Sequence, residues 1–507
     1  MMRRHLSIAA VHLGNLSAGL RRLVSLPALV GDGFMALSAK VVSQAVQLAI
    51  FIVAAHVLEA AEFGFFAFSS SFAIFVLVMA EGGWGEFVMK AGADKVDLDQ
   101  LATMSILSGA IATLLGLLAA LAAVSWFADG WSAVLILLFS AWYLPASLST
   151  VYDGILISRG QLRGQSLIRI AGEAVGLVVA IGGLWIGQGI AALICGRLAQ
   201  QITFLGASMV LVRWLPSLRL CRDFALEVLE FSRHIVANRL VVFFRSYAGT
   251  LVVGSVLGLA EAGYYRAAER IVAAFSELMG EPARMLAWIV FGRAGGQAKG
   301  ERDRAAIGST ATTFMTVLMA VSAPVYLGLA LVSGGLIDVL LGEKWAPAAI
   351  LVAILAAKQT LLIPGYVTEP LLSLSGTIHK MPRAIMLNGA ISVGLIVLLT
   401  PFGAIATALG QCLAAVISFN ISMRLQTQQG GLVWSRVLGN CGLVAIAVVA
   451  MAATVLLLGR IAEVSALRQI STVALQVVSG ACIYVATLAL LQRWGGALKP
   501  IFAFGRH

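Results

Sequence analysis

Apolar runs of roughly twenty residues, broken by short polar punctuation, fill nearly the whole chain. Each run is long enough to cross the ~30 Å hydrocarbon layer of a bilayer as a helix. Of the 507 residues, 60% are hydrophobic and 12% charged, against about a quarter charged in soluble domains. Folding in water is excluded, and an all-α polytopic membrane protein is expected. The apolar windows predict about fourteen spans: residues 34–57, 63–89, 101–126, 132–156, 164–186, 189–212, 233–257, 263–292, 305–332, 347–373, 382–400, 402–424, 437–459 and 469–492.

The connections are too short to fold as separate domains. The expected organisation is a tail at 1–33, a first lobe of six helices at 34–212, a polar linker at 213–232, a second lobe at 233–424, two further helices within 425–492, and a tail at 493–507. The start of the chain carries Arg3, Arg4, Arg21 and Arg22 without a clean apolar core and cleavage site, so it reads as a cytoplasmic tail and not a signal peptide. Five cysteines, Cys195, Cys221, Cys412, Cys441 and Cys482, show no metal-ligand spacing, and neither a metal nor a cofactor is expected.

Lysine and arginine set the orientation. With a cytoplasmic N-terminus, 23 of them fall in cytoplasmic segments and only Lys344, Arg460 and Arg468 on the opposite face. Both termini are then cytoplasmic. The same distribution explains the net charge of +11 without nucleic acid, since the charge is scattered over many loops and forms no continuous patch.

A repeat relates the two lobes. Val57-Leu58-x-x-Ala61-Glu62-x-Gly64-Phe65-Phe66 recurs as Val256-Leu257-x-x-Ala260-Glu261-x-Gly263-Tyr264-Tyr265, 199 residues later. Weaker echoes link Asp153, Leu156 and Gly160 to Glu369, Leu372 and Gly376, and Gly189 and Gly196 to Gly403 and Gly410. Repeats six spans apart share an orientation, so an axis along the membrane normal is expected to relate them.

This plan of six, six and two helices, the repeated Leu-x-x-Ala-Glu-x-Gly-aromatic-aromatic turn, and Gly342-Glu343-Lys344-Trp345 after the ninth span resemble the Wzx-type polysaccharide-repeat flippases. These belong to the superfamily of multidrug, oligosaccharidyl-lipid and polysaccharide exporters. The resemblance covers residues 30–425 well and the last two helices by count only. It implies two lobes around a central cavity in the bacterial inner membrane. It also implies movement of undecaprenyl-pyrophosphate-linked oligosaccharide by alternating access, for exopolysaccharide, O-antigen or capsule assembly. Coupling to H+ or Na+, contact with membrane lipids and association with polysaccharide polymerase machinery are further implications.

Nine basic residues lie inside spans: Lys40, Arg169, Arg197, Arg239, Arg245, Arg266, Arg270, Arg284 and Lys358. A charge at the bilayer centre costs at least ~2.5–3.5 kcal/mol, and such groups usually face a bundle interior or a wet cavity. On the eighth span Arg266, Arg270, Glu277, Glu281 and Arg284 fall within about 60° of one face at the helical period. His234, Asn238 and Arg245 share a face of the seventh span, and Lys40, Gln44 and Gln47 a face of the first, by the same period. In the family fold these helices line the cleft. Arg245, Arg266, Arg270, Arg284, Lys40 and Lys358, with Asn238 and Gln44, are therefore the candidate substrate contacts. Arginine suits the task because its planar fork holds phosphate bidentately.

Internal neutralisation is the competing use of the same groups, with Arg284 pairing Glu281 and Arg169 pairing Glu173 by helical spacing. Glu81, Glu277 and Glu281 are the candidates for ion coupling, alongside Glu86 and Asp153 near helix ends. Glu81 heads Glu81-Gly82-Gly83-Trp84-Gly85, where the glycines would loosen the second helix as a gating element. His234 and His379 read as interfacial.

A drug exporter of the same superfamily would favour carboxylates and aromatics over arginines, whereas a lipid II flippase shares the pyrophosphate chemistry. A membrane-embedded polymerase or ligase would need a long extramembrane catalytic loop, and the longest such connection here is about residues 333–346. No G-x-x-x-x-G-K-[ST] signature is present, so direct ATP hydrolysis is not expected. The orientation is checked by reporter fusions. One placed after Gly300 should report cytoplasm and one after Gly342 periplasm, and the reverse pattern would overturn the topology.

Overall fold

The computed structural model describes residues 35, 38–127, 130–295, 301–464 and 469–495; the expected tail at 1–33 and residues 496–507 lie outside them. Helices dominate the described residues and no strand occurs among them. They are α1 (Ser38–Val57), α2 (Ala60–Glu81), α3 (Trp84–Ala91), α4 (Leu98–Phe127), α5 (Gly130–Ser158), α6 (Leu162–Trp185), α7 (Ile190–Val212) and α8 (Arg222–Val256). The second half holds α9 (Leu259–Gly295), α10 (Glu301–Leu341), α11 (Ala346–Leu362), α12 (Gly365–Leu374), α13 (Met381–Leu399), α14 (Ala404–Gly430), α15 (Trp434–Val464) and α16 (Gln469–Gly495).

Thirteen spans among the described residues are long and apolar enough to cross a membrane, counting α2 with α3 and α11 with α12 as single broken spans. The fourteenth expected span corresponds to α9, a 37-residue helix. Its length suffices, but its charges remove it from the apolar class. The span that fails on hydropathy is thus the one carrying the charged stripe.

Two segments read from sequence as loops are helical. The charged linker is shorter than expected, because α8 begins at Arg222. Val228 is buried, and Phe224 and Phe231 meet Phe87 with ring centroids 6.0 and 5.5 Å away. An apolar stripe anchors that polar-looking stretch as helix. Likewise α10 continues to Leu341, which shortens the connection expected at 333–346 to a single turn of 3-10 helix, Glu343–Trp345.

Contacts divide the chain into two compact units, one of residues 1–51 and 73–238 and the other of 52–72 and 239–507. The divisions fall inside α1, α2 and α8, so they do not follow the sequence order of six helices and six. In the first unit α3 and α4 pack on α5, and α6 on α7, around Trp84, Phe87, Tyr152, Ile155 and Leu156. In the second, α9 packs against α10, α11 and α12, α11 against α14, and α15 and α16 against α10.

The two copies of the repeat meet inside the second unit. A Cβ on Gly64 would stand 1.7 Å from the Leu259 carbonyl oxygen, and one on Gly263 2.1 Å from that of Ala60. Only glycine permits backbones to cross this closely. The loop after α10 fastens the crossing. Trp345, fully buried, donates its indole N–H to the Ala55 carbonyl at 2.9 Å and packs edge-on against Phe63 and Tyr264. Lys344 Nζ donates to the carbonyls of His56 and Leu58 at 3.2 and 2.9 Å and lies 3.6 Å from Glu59. A cation and two donors thereby satisfy carbonyls that the end of α1 leaves open.

The second membrane span is broken as its glycines predict. Helix α2 stops at Glu81, Gly82 and Gly83 take positive φ, and α3 restarts at Trp84. The Ala80 carbonyl accepts from Trp84 Nε1 (3.0 Å), Ser108 Oγ (2.7 Å) and Ser147 Oγ (3.0 Å), and the Gly82 carbonyl accepts from Ser232 Oγ. Such a break is tolerated at membrane depth only when its freed groups find partners. The repeat offset of 199 carries Gly83 onto Pro282, the proline inside α9, where the missing N–H removes one helical hydrogen bond. The first copy breaks its second helix at this register, and the second copy carries a proline there within a continuous helix.

The crossing generates a stability test. Gly64→Ala and Gly263→Ala should each destabilise the purified protein by about 1–3 kcal/mol through overpacking. Gly394→Ala, where an added Cβ meets nothing within 4 Å, should leave the melting temperature unchanged. Equal melting of all three would show that the backbones do not cross this closely.

Candidate functional site

The most concentrated charge chemistry lies in the second unit, on α8, α9, α11 and α14. Counting 1.5 Å per residue from the α8–α9 turn, Arg245 sits ~16 Å and Arg266 ~10 Å along their helices, and Lys358 lies ~18 Å from the start of α11. All three lie about two turns or more from those helix ends.

Arg266 Nη1 is 3.2 Å from Glu269 Oε2, one turn further along α9. The same nitrogen donates to the Ser246 carbonyl at 3.3 Å, and the guanidinium lies 4.7 Å from the centre of the Tyr247 ring. Thr250 Oγ1 donates to Glu269 at 3.5 Å. Lys358 Nζ donates to Gln411 Oε1 at 2.6 Å, and Gln411 Nε2 donates to the Tyr265 hydroxyl at 2.5 Å. The charge of Lys358 also acts on Glu269, and that of Arg245 on Lys358. Arg266 thus pairs with the Glu269 carboxylate, with Lys358 and then Arg245 as the next charges beyond that pair.

These groups are reachable. The Arg266 and Glu269 side chains remain 23% and 17% accessible, Lys358 is partly accessible, and Arg245 is exposed. A charged group at this depth is far less costly against water than against hydrocarbon, so the accessible side of the cluster is best served by a wet space. Chemically, the set offers two guanidinium forks and an ammonium to an anion, with hydroxyls from Tyr265 and Thr250 nearby.

The other residues singled out from the sequence are placed as follows. Arg284 Nη2 pairs with Glu281 Oε1 at 2.7 Å, the internal pairing that helical spacing allows. Arg270 and Glu277 also have interaction partners, as do Lys40, Gln44 and Glu81. Asn238 is exposed and belongs, with Lys40, Gln44 and Glu81, to the first unit. The stripe on α9 is therefore not a row of free cations: Arg266 and Arg284 each hold a glutamate.

One expected pairing is wrong. Arg169 does not pair with Glu173; its Nη2 lies 3.9 Å from Asp153 and its guanidinium 5.9 Å from the Phe204 ring centre. Gln165 donates to the other Asp153 oxygen. Glu173 is instead buried between α6 and α1, accepting from Ser43 Oγ and, at 3.1 Å, from Gln47 Nε2. The polar face of the first span is thereby partly consumed in holding α1 to α6.

Glu269, Tyr247, Tyr265, Thr250 and Gln411 were not singled out from the sequence. Spacing could have found Glu269, at i+3 from Arg266, and Tyr265 closes the repeat motif. Gln411 carries no local signal, because its role depends on α14 packing against α11. The five cysteines are free thiols, and no cluster of three or more metal-binding side chains occurs among the described residues.

Comparisons with known proteins agree with this architecture. Residues 28–350 match the model of the family described as "Polysaccharide biosynthesis protein". Over 247 residues the chain is 24% identical to the succinoglycan biosynthesis transport protein ExoT of Rhizobium meliloti (strain 1021), covering 48% of this chain. The chain spans about half the length of that curated relative, 49%. Among solved structures, the lipid II flippase MurJ in an inward closed conformation aligns with TM-score 0.68 at 12% identity, over 91% of this chain and 99% of that one. An inward-facing multidrug resistance MATE family transporter of the MOP superfamily aligns with TM-score 0.57 at 16% identity, over 76% and 95%. At these identities the structural likeness shows a shared fold. Together with the family match over well more than half its length, it establishes that this chain belongs to the polysaccharide biosynthesis protein family and has the helical fold of the MOP transporter superfamily.

Proposed function

We propose that the protein is a flippase that moves undecaprenyl-pyrophosphate-linked oligosaccharide repeat units across the bacterial inner membrane for surface polysaccharide assembly. The observation that carries this reading is the accessible Arg266–Glu269 pair deep in α9, with the further cations Lys358 and Arg245 beyond it, in a chain of the polysaccharide biosynthesis family. A lipid-linked sugar diphosphate brings two negative charges and many hydroxyls into a region of low dielectric. Guanidinium forks neutralise phosphate oxygens through charge-assisted hydrogen bonds, and the prenyl chain stays in lipid. Binding energy is localised where the charge is, and the sugar needs only a wet path beside it.

Alternating access is the mode common to transporters built from repeats. The break at Gly82–Gly83 and the proline at Pro282 within α9 are the candidate bending points. Arg270 and Arg284 are further candidate contacts on α9, Lys40, Gln44 and Asn238 are those of the first unit, and Glu81, Glu277 and Glu281 are the acidic groups available for coupling to H+ or Na+. The termini are placed in the cytoplasm, and the translocated unit passes to polysaccharide polymerase machinery. No chemical step on the substrate is required of the protein.

Replacing Arg266 and Arg270 together by alanine should abolish surface polysaccharide in a complemented deletion strain while the protein accumulates normally in the membrane. Parental polymer output from that double variant would remove these residues from the substrate path.

A further inference from the structure

We infer that Glu269 is an internal competitor for the substrate's phosphates, occupying Arg266 when the site is empty and retaking it to expel the headgroup. This rests on the headgroup site proposed above and adds a residue that the sequence did not single out.

The geometry separates what positions the cations from what neutralises them. Arg266 is held by the Ser246 carbonyl at 3.3 Å and by the Tyr247 ring at 4.7 Å. Lys358 is held by Gln411, itself held by Tyr265. Every one of those supports is uncharged. Glu269 is the carboxylate of this set: it pairs with Arg266 at 3.2 Å, and Lys358 is the next cation beyond that pair. Removing its charge would therefore leave Arg266 in place but without its negative partner.

Its placement also suits exchange. Glu269 is one helical turn from Arg266 on the same helix, so its effective concentration at the guanidinium is high and independent of substrate. Its other hydrogen bond, from Thr250 Oγ1, is long at 3.5 Å, so little else holds the carboxylate. The pair stays accessible, at 23% and 17%, and an anion can approach Arg266 without opening a sealed core. A site with unopposed cations would bind a diphosphate so tightly that release limited transport. A competing carboxylate weakens the bound state, and binding energy that merely holds the ground state does not speed turnover.

The test uses the full-length protein in nanodiscs with geranylgeranyl diphosphate as the probe. Glu269→Gln keeps the side chain's size and a hydrogen-bonding oxygen but removes the charge. It should bind the probe about tenfold more tightly than the parent, the scale of losing one competing charge-assisted hydrogen bond. The same variant should lower polymer output in a complemented deletion strain despite normal protein levels. Unchanged or weaker affinity overturns the proposal, and tighter binding with undiminished output overturns the release role. If Glu269→Gln does not fold, Glu269→Asp is read in its place: its shorter side chain retracts the carboxylate, so tighter binding supports competition and equal or weaker binding overturns it. Arg266→Ala separates the two readings. It should weaken binding of the probe, and a parental affinity would remove the headgroup site itself whatever Glu269 does.

Discussion

Charge inside a hydrocarbon layer has to be answered by something, and α9 shows how this fold answers it. The helix carries too many ionised groups to count as an apolar span, yet it forms part of the second unit's packing against α10, α11 and α12. Its buried face supplies the reason: Ala262, Gly263, Tyr265, Ala267, Ala268, Ile271 and Val272 are buried, so small and apolar residues dock the helix. The charged residues stand on the remaining surface. Arg266 and Arg284 then find carboxylates one turn away on the same helix. Local pairing reduces the insertion cost, with uncharged support from Ser246, Tyr247 and Thr250 of α8, and the pair keeps an accessible side for chemistry.

The repeat gives this helix its fixed position. The first turns of α2 and α9 cross through Gly64 and Gly263, and Trp345 and Lys344 tie the crossing to the end of α1. The last residue of the motif's second copy, Tyr265, points from that crossing to Gln411 and through it to Lys358. The conformationally important turn and the cationic cluster are therefore linked by one side chain. The broken second span provides the complementary property, a bend whose carbonyls are satisfied by Ser108, Ser147 and Ser232 and which can therefore persist within the membrane.

Much of the fold was legible in the sequence because bilayer physics leaves few choices. Apolar length fixes spans, and the glycine pair at 82–83 announced a break that the structure contains. The charged linker was misread because its polar residues masked the stripe of Phe224, Val228 and Phe231 that makes it helical. The site was legible only in part. The helical period located Arg266 and the α9 face, but counting like-facing residues omitted Glu269, which sits just off that face and is the group that Arg266 actually holds. Arg169 was assigned to the nearest acid along its helix, whereas Asp153 on α5 takes it. Partners along one helix can be read from spacing. Partners across helices, such as Lys358 and Gln411, depend on packing that no local pattern encodes.

The claim that most needs testing is that an anionic lipid headgroup crosses the bilayer by way of this protein. The purified protein would be reconstituted into vesicles that contain a fluorescent sugar linked to a short polyprenyl diphosphate. A membrane-impermeant quencher then measures how much of the label reaches the outer leaflet. A cationic translocation site predicts that quenching rises well above the half expected for lipid confined to its original leaflet. Quenching identical to that of protein-free vesicles would contradict it.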